Sequence, residues 1–120
     1  SRTRELIGYL NDTFSLDQFD EERDLILIPN YGCKPCVESA IRFLCTDGDK
    51  ERYVCIVSDE TYAENLKECG YLTIIDSDDL LSQLNFDIQN VCILNRSFPF
   101  KMRSLNISNI GDIQNFFEID

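Results

Sequence analysis

Asp24-Leu25-Ile26-Leu27-Ile28-Pro29-Asn30-Tyr31-Gly32-Cys33-Lys34-Pro35-Cys36-Val37 holds an apolar run, a break and a helix start in one short stretch. After a single charge, residues 25–28 are uninterrupted apolar, the pattern of a strand covered on both faces. Pro29, Asn30 and Gly32 break it. From Cys33 onward, Val37, Ala40, Ile41 and Leu44 recur at i, i+3, i+4 and i+7 relative to Val37, which predicts a helix to about Cys45.

The C-x-x-C of Cys33 and Cys36 therefore lies between a strand and a helix, the arrangement of a dithiol redox centre. A cysteine at the first turn of a helix meets unpaired backbone N–H groups and the positive end of the helix dipole. Both stabilise a thiolate, which is the reactive form. Lys34 adds a nearby positive charge, and Pro35 suits a turn where a missing N–H costs nothing. Cys36, one turn along, is placed to attack a mixed disulfide on Cys33 and release it. Cys33 is expected to be the exposed thiol and Cys36 the shielded one.

On the N-terminal side, Leu6, Ile7 and Leu10 share a face and predict a helix over 2–11. Residues 12–23 read as an acidic loop anchored by Phe14, Leu16 and Phe19. On the C-terminal side, residues 52–58 predict a strand. Thr61 and Glu64 read as a capping box opening a helix with Tyr62, Leu66 and Cys69 on its buried stripe. Gly70 stops that helix. Strands follow at 71–75 and 91–94, with a short helix over 78–85 between them. A fifth strand is expected over 100–107, and Ser108 is expected to cap a last helix burying Ile110, Ile113 and Phe117. Strands alternating with helices predict parallel pairing, and the close pair at the end predicts an antiparallel hairpin on one edge.

At 120 residues the chain reads as one domain, with residues 1–23 as an N-terminal helix and loop extension and 24–120 as the core. A net charge of −11 argues against nucleic acid or an anionic membrane as partner, because phosphates are bound by clustered Lys and Arg. The absence of histidine removes Ser-His-Asp and Cys-His catalysis and any imidazole zinc site. No phosphate-cradling glycine motif is present. No apolar stretch approaches the roughly 20 residues of a membrane span. The chain opens at Ser1-Arg2 without a methionine, which fits a trimmed leader or anchor as well as an excised domain.

Of the other four cysteines, Cys55 and Cys92 lie inside apolar strand patterns and are expected as buried free thiols. Cys45 and Cys69 fall near helix ends and read as packing residues, although an even count permits further disulfides. Cys45 lies three turns beyond the motif, which rules out a shared tetrahedral metal site. Asp76, Ser77, Asp78 and Asp79 with Asp87 faintly suggest a calcium loop. Leu80 and Leu81 fall where that loop needs an oxygen ligand and a glycine, so the acids read as a helix cap. No metal or other cofactor is expected.

The strand Leu25–Ile28, the Cys33-Lys34-Pro35-Cys36 motif, the strand 54–57 ending in Ser58-Asp59, the strand 71–75 ending at Asp76, and Leu84 to Ile88 leading into 91–94 together resemble the thioredoxin superfamily. The likeness is nearest to its exported, bacterial thiol–disulfide oxidoreductase branch, which shares a layout with the peroxiredoxins. The resemblance implies an α/β fold: a three-layer α/β/α sandwich on a mixed five-stranded sheet in the order 71–75, 53–57, 24–28, 91–95, 100–106. It further implies Cys33 and Cys36 as the catalytic redox pair, Lys34 and Pro35 as support, and Gln89, Asn90 and Val91 as the substrate loop. The partners implied are protein thiols or disulfides, or a redox partner protein. The chain would act outside the cytoplasm, with a cytoplasmic site the alternative; its oligomeric state is left open, a monomer being favoured. A non-catalytic binding module with a structural or idle disulfide is the alternative function.

Three positions depart from the family pattern. Gly32 stands where an aromatic residue precedes the first cysteine, and Leu27 fills the region of a buried carboxylate. No proline occurs within residues 88–91, where the family has a cis-proline; Asn90 is the nearest match. A non-proline cis bond costs about 2.5–4 kcal/mol, so trans peptides are expected there.

Overall fold

A computed structural model describes residues 2–86 and 88–118, which leaves Asp87 outside the described residues. The fold is a thioredoxin-like three-layer α/β/α sandwich. Its sheet has five strands: β1 (Asp24–Ile28), β2 (Tyr53–Val57), β3 (Leu72–Ile75), β4 (Cys92–Leu94) and β5 (Met102–Ser104), in the order β3-β2-β1-β4-β5. β1, β2 and β3 are mutually parallel, while β4 is antiparallel to both β1 and β5. This is the expected strand order, with the outer strands a residue or more shorter than the sequence pattern predicts.

Every residue of β1 and β2 is buried, because both faces of the sheet are covered. The helices α2 (Lys34–Asp47) and α3 (Glu60–Glu68) are the crossovers from β1 to β2 and from β2 to β3. Two successive right-handed crossovers stepping in the same direction put both helices on one face. There they join α5 (Ile113–Glu118) over Ile26, Ile28, Cys55 and Val57. Phe43 of α2 stacks on Phe117 of α5 at 5.2 Å between ring centroids, and the Tyr53 hydroxyl donates to the Phe117 carbonyl at 2.9 Å.

The other face is built by α1 (Arg2–Phe14), a 3-10 turn Leu16–Gln18, and the short helix α4 (Leu80–Gln83). Leu6, Ile7, Leu10 and Leu16 close over Leu25, Leu27, Val54 and Ile56. The first helix runs three residues further than its apolar face predicts, with Phe14 packing against this core. The N-terminal extension therefore supplies most of one layer of the sandwich, which α4 completes through Leu81. Buried Arg96 fastens it to the end of β4 by donating to the carbonyls of Leu16 and Asp20 at 3.1 and 3.0 Å.

Several local expectations are corrected. The cap of α3 is Asp59, whose Oδ1 accepts the Tyr62 N–H at 3.0 Å, so Thr61 and Glu64 form no capping box. Asp59 is in the right place because β2 ends at Val57, two residues earlier. Ala63 and Leu66 are the buried residues of α3, with Tyr62 and Cys69 half-buried. Ser108 caps nothing: its hydroxyl and N–H both donate to Asn106 Oδ1, and the chain enters α5 through a 3-10 turn Ile110–Asp112. Phe116 joins Phe117 in the core, while Ile110 and Ile113 are only partly buried. Gly70 does end α3, at φ 100, with its N–H bonded to the Lys67 carbonyl and the Tyr71 N–H to that of Leu66.

The largest correction concerns Cys45 and Cys69, which form a disulfide with Cα atoms 5.3 Å apart. Both helices run in the same direction on the same face, so their C-terminal ends meet at the end of the sandwich away from the C-x-x-C. Cys55 and Cys92 are buried free thiols, but on opposite faces of the sheet.

Burial pushes the Cys55 thiol from its ordinary value of 9.0 up to about 12. Burial also raises Tyr53 to about 12, against the opposing pull of Arg52. Between about pH 9 and 12 the unfolded Cys55 releases a proton that the folded one keeps, so stability is full below that window and falls through it. The expected loss is about 1.4 kcal/mol per pH unit from Cys55 alone. Urea unfolding at pH 8 and at pH 10.5 reads the slope. Cys55→Val should flatten it by one proton; an unchanged slope would show that another group carries it.

Candidate functional site

The chain leaves β1 at Ile28, turns through residues 29–32 and enters α2 with Cys33 as the N-cap. Cys33 is extended there (φ −66, ψ 110), and its sulfur accepts the N–H of Cys36 at 3.3 Å. A sulfur thus does the work that a Ser or Asp oxygen does at other N-caps. Cys33 is partly exposed, Cys36 is fully buried, and the two are joined as a disulfide with Cα atoms 5.1 Å apart. Lys34 and Pro35 occupy the first helical turn, both exposed.

The loop ahead of β4 reaches this point from across the sheet. Asn90 Oδ1 accepts the Cys33 backbone N–H at 2.9 Å. Gly32 eases the approach: a Cβ there would lie 3.2 Å from the Gln89 carbonyl oxygen, tighter than an ordinary contact. The only cis peptide among the described residues is Phe98–Pro99, so the bonds on either side of Asn90 are trans.

Two clefts are lined by residues that adjoin the disulfide. One, of about 410 Å³, is lined by Tyr31, Ser82, Ile88, Gln89 and Asn90. Tyr31, two residues before Cys33, is 74% exposed. The other, of about 300 Å³, runs between Pro29, Asn30, Gly32, Lys34, Val37, Asp59 and Tyr62. Asp79, in the left-handed region at φ 50, accepts from the Asn30 N–H at 3.4 Å and from the Ser82 hydroxyl at 2.9 Å.

The acidic stretch after β3 serves as a cap. Asp76 is buried and accepts from the N–H groups of Leu80 and Leu81 and from the Ser58 hydroxyl, each at 2.9 Å. These three donors take most of the acceptor sites of its carboxylate, which suits a structural role. No group of three metal-ligating side chains occurs among the described residues. Neither carboxylate nearest the motif in sequence sits beside Cys36: Asp24 pairs with Arg52 at 3.5 Å at the start of β1, and Glu38 faces solvent. No helix among the described residues is long and apolar enough to cross a membrane.

Sequence reasoning reached Cys33, Lys34, Pro35, Cys36 and the 89–91 loop, and the structure brings Asn90 onto Cys33. It did not reach Asp79, Ser82 or Tyr62 as neighbours of the motif, since Tyr62 comes from α3, Ser82 from α4 and Asp79 from the N-cap of α4. Asp59 carried a local signal, an acid directly before a helical pattern. The arrangement supports thiol–disulfide exchange. At such a disulfide an incoming thiolate that attacked Cys33 would form a mixed disulfide and displace the Cys36 sulfur as thiolate. Comparisons with family models, with curated proteins and with solved structures give no match.

Proposed function

We propose that this chain is a thiol–disulfide oxidoreductase of the thioredoxin superfamily, with Cys33 as the exchanging sulfur and Cys36 as the resolving one. The observation that carries this reading is a C-x-x-C disulfide at a helix N-terminus, with Cys33 partly exposed, Cys36 buried and two clefts lined by the residues that adjoin the pair. The substrates are protein thiols or disulfides that lie across the cleft beside Tyr31. The chain acts outside the cytoplasm, where Cys45–Cys69 would persist as a disulfide.

The test is the reduction potential of the Cys33–Cys36 pair, set against glutathione or dithiothreitol, together with turnover of a disulfide peptide at catalytic protein concentration. Catalytic dithiols lie between about −270 and −120 mV, whereas structural disulfides lie below about −300 mV. A value in the upper range with turnover is the expected result. A value below about −300 mV without turnover would sink the proposal. It would leave the second reading, a binding module with an idle disulfide. One observation favours that reading: trans Asn90, its carboxamide spent on Cys33, stands where the family's cis-proline would be.

A further inference from the structure

We propose that Asn90 is a positioning residue of the dithiol: its carboxamide clamps the Cys33 backbone so that the two sulfurs are held ready to join. The Cys33 N–H belongs to an N-cap residue, so it lies outside the helix's own hydrogen-bond ladder. Asn90 Oδ1 takes it at 2.9 Å, across a separation of 57 residues. Cys33 is then held at two points, its amide by Asn90 and its sulfur by the Cys36 N–H.

The clamp is itself braced. The Cys92 thiol donates to the Asn90 carbonyl at 3.2 Å, and its sulfur lies 3.3 Å from the Ser104 hydroxyl on β5. The Leu105 N–H donates to the Val91 carbonyl at 2.8 Å, tying the next residue to the strand beyond. Asn90 therefore projects from a loop anchored to two strands, and Gly32 leaves room for it to reach Cys33.

The residue type matters as much as the place. A carboxamide oxygen accepts the hydrogen bond without bringing charge, whereas a carboxylate in the same place would oppose a thiolate on Cys33. Leucine has similar bulk and no acceptor. These differences separate positioning from simple packing.

The inference concerns the dithiol itself, so it is testable whether or not the oxidoreductase reading holds. Two measurements on the purified full chain decide it: the exchange equilibrium of the Cys33–Cys36 pair with glutathione, and the rate at which iodoacetamide labels Cys33 in the reduced protein at pH 7. Asn90→Leu is expected to shift the equilibrium about tenfold toward the dithiol, equivalent to about 30 mV. Asn90→Ala, which removes the acceptor without adding bulk, carries the same expectation should the leucine variant not fold. Asn90→Asp retains the acceptor, so no shift toward the dithiol is expected, but labelling of Cys33 should slow about tenfold. An equilibrium within twofold of wild type in the variant without an acceptor would overturn the clamp. So would an aspartate variant that shifts toward the dithiol as leucine does. Normal turnover by the wild type beside such a result would sink the clamp alone. Absent turnover beside the expected shifts would sink the oxidoreductase reading alone.

Discussion

Replacing Cys36 with alanine should turn a passing mixed disulfide into a lasting one. In the proposed cycle Cys33 carries the substrate sulfur, and release depends on the Cys36 thiolate attacking the bond from one helical turn away. That attack is intramolecular, and well-oriented intramolecular attack corresponds to effective concentrations on the order of 10⁵ M or more. Without Cys36, release waits for an external thiol, and turnover should fall by about 10³-fold or more. Cys33→Ser should remove turnover altogether, because a serine hydroxyl does not form a mixed disulfide. Non-reducing electrophoresis and peptide mapping after incubation with a disulfide substrate read both results. The adduct of Cys36→Ala should map to Cys33, the partly exposed cysteine, while Cys36 in the Cys33→Ser chain should stay unlabelled because it is buried. Full turnover by either variant would exclude the two-cysteine mechanism.

Removing the second disulfide, by Cys45→Ala with Cys69→Ala, should lower the melting temperature by about 10–20 °C. The bond closes a loop with a sequence separation of 24. In the chain-entropy account, closing a loop of that length stabilises the fold by about 3.5 kcal/mol, by restricting the unfolded chain. It joins the last turn of α2 to the C-cap of α3, far along α2 from Cys33. The exchange equilibrium of Cys33–Cys36 should therefore be unchanged within about twofold, as for independent sites. A thermal melt of the oxidised double variant gives the shift. A decrease below about 3 °C would show that helix packing, rather than the covalent link, holds α2 against α3.

The strand-turn-helix at residues 24–47 was legible because its determinants are local. Four consecutive apolar residues make a strand covered on both sides, Pro29 and Gly32 break it, and the spacing from Val37 to Leu44 makes the helix. The cysteines of the motif fall at the N-cap and at the third helical residue by that logic alone. The strand order came from a resemblance rather than from the periods, and the sheet has that order. Where two local signals competed, the pattern misled. Thr61 with Glu64 looked like a cap, yet the end of β2 placed Asp59 there, which the capping pattern does not encode.

What the sequence by itself determined is the identity and local setting of each reactive group: a C-x-x-C opening a helix, no imidazole, and two cysteines inside strands. Tertiary structure alone decided which groups meet. Cys45 and Cys69 each read as an apolar residue near a helix end, and they meet only because two right-handed crossovers lay α2 and α3 side by side in the same direction. Asn90 reads as a loop residue where a proline might stand, and its bond to Cys33 exists only because β4 lies antiparallel beside β1 and begins where β1 ends. The physical reason is one of range. Propensity, capping and periodicity act over a few residues, whereas contacts spanning 24 and 57 residues arise when buried faces choose their partners.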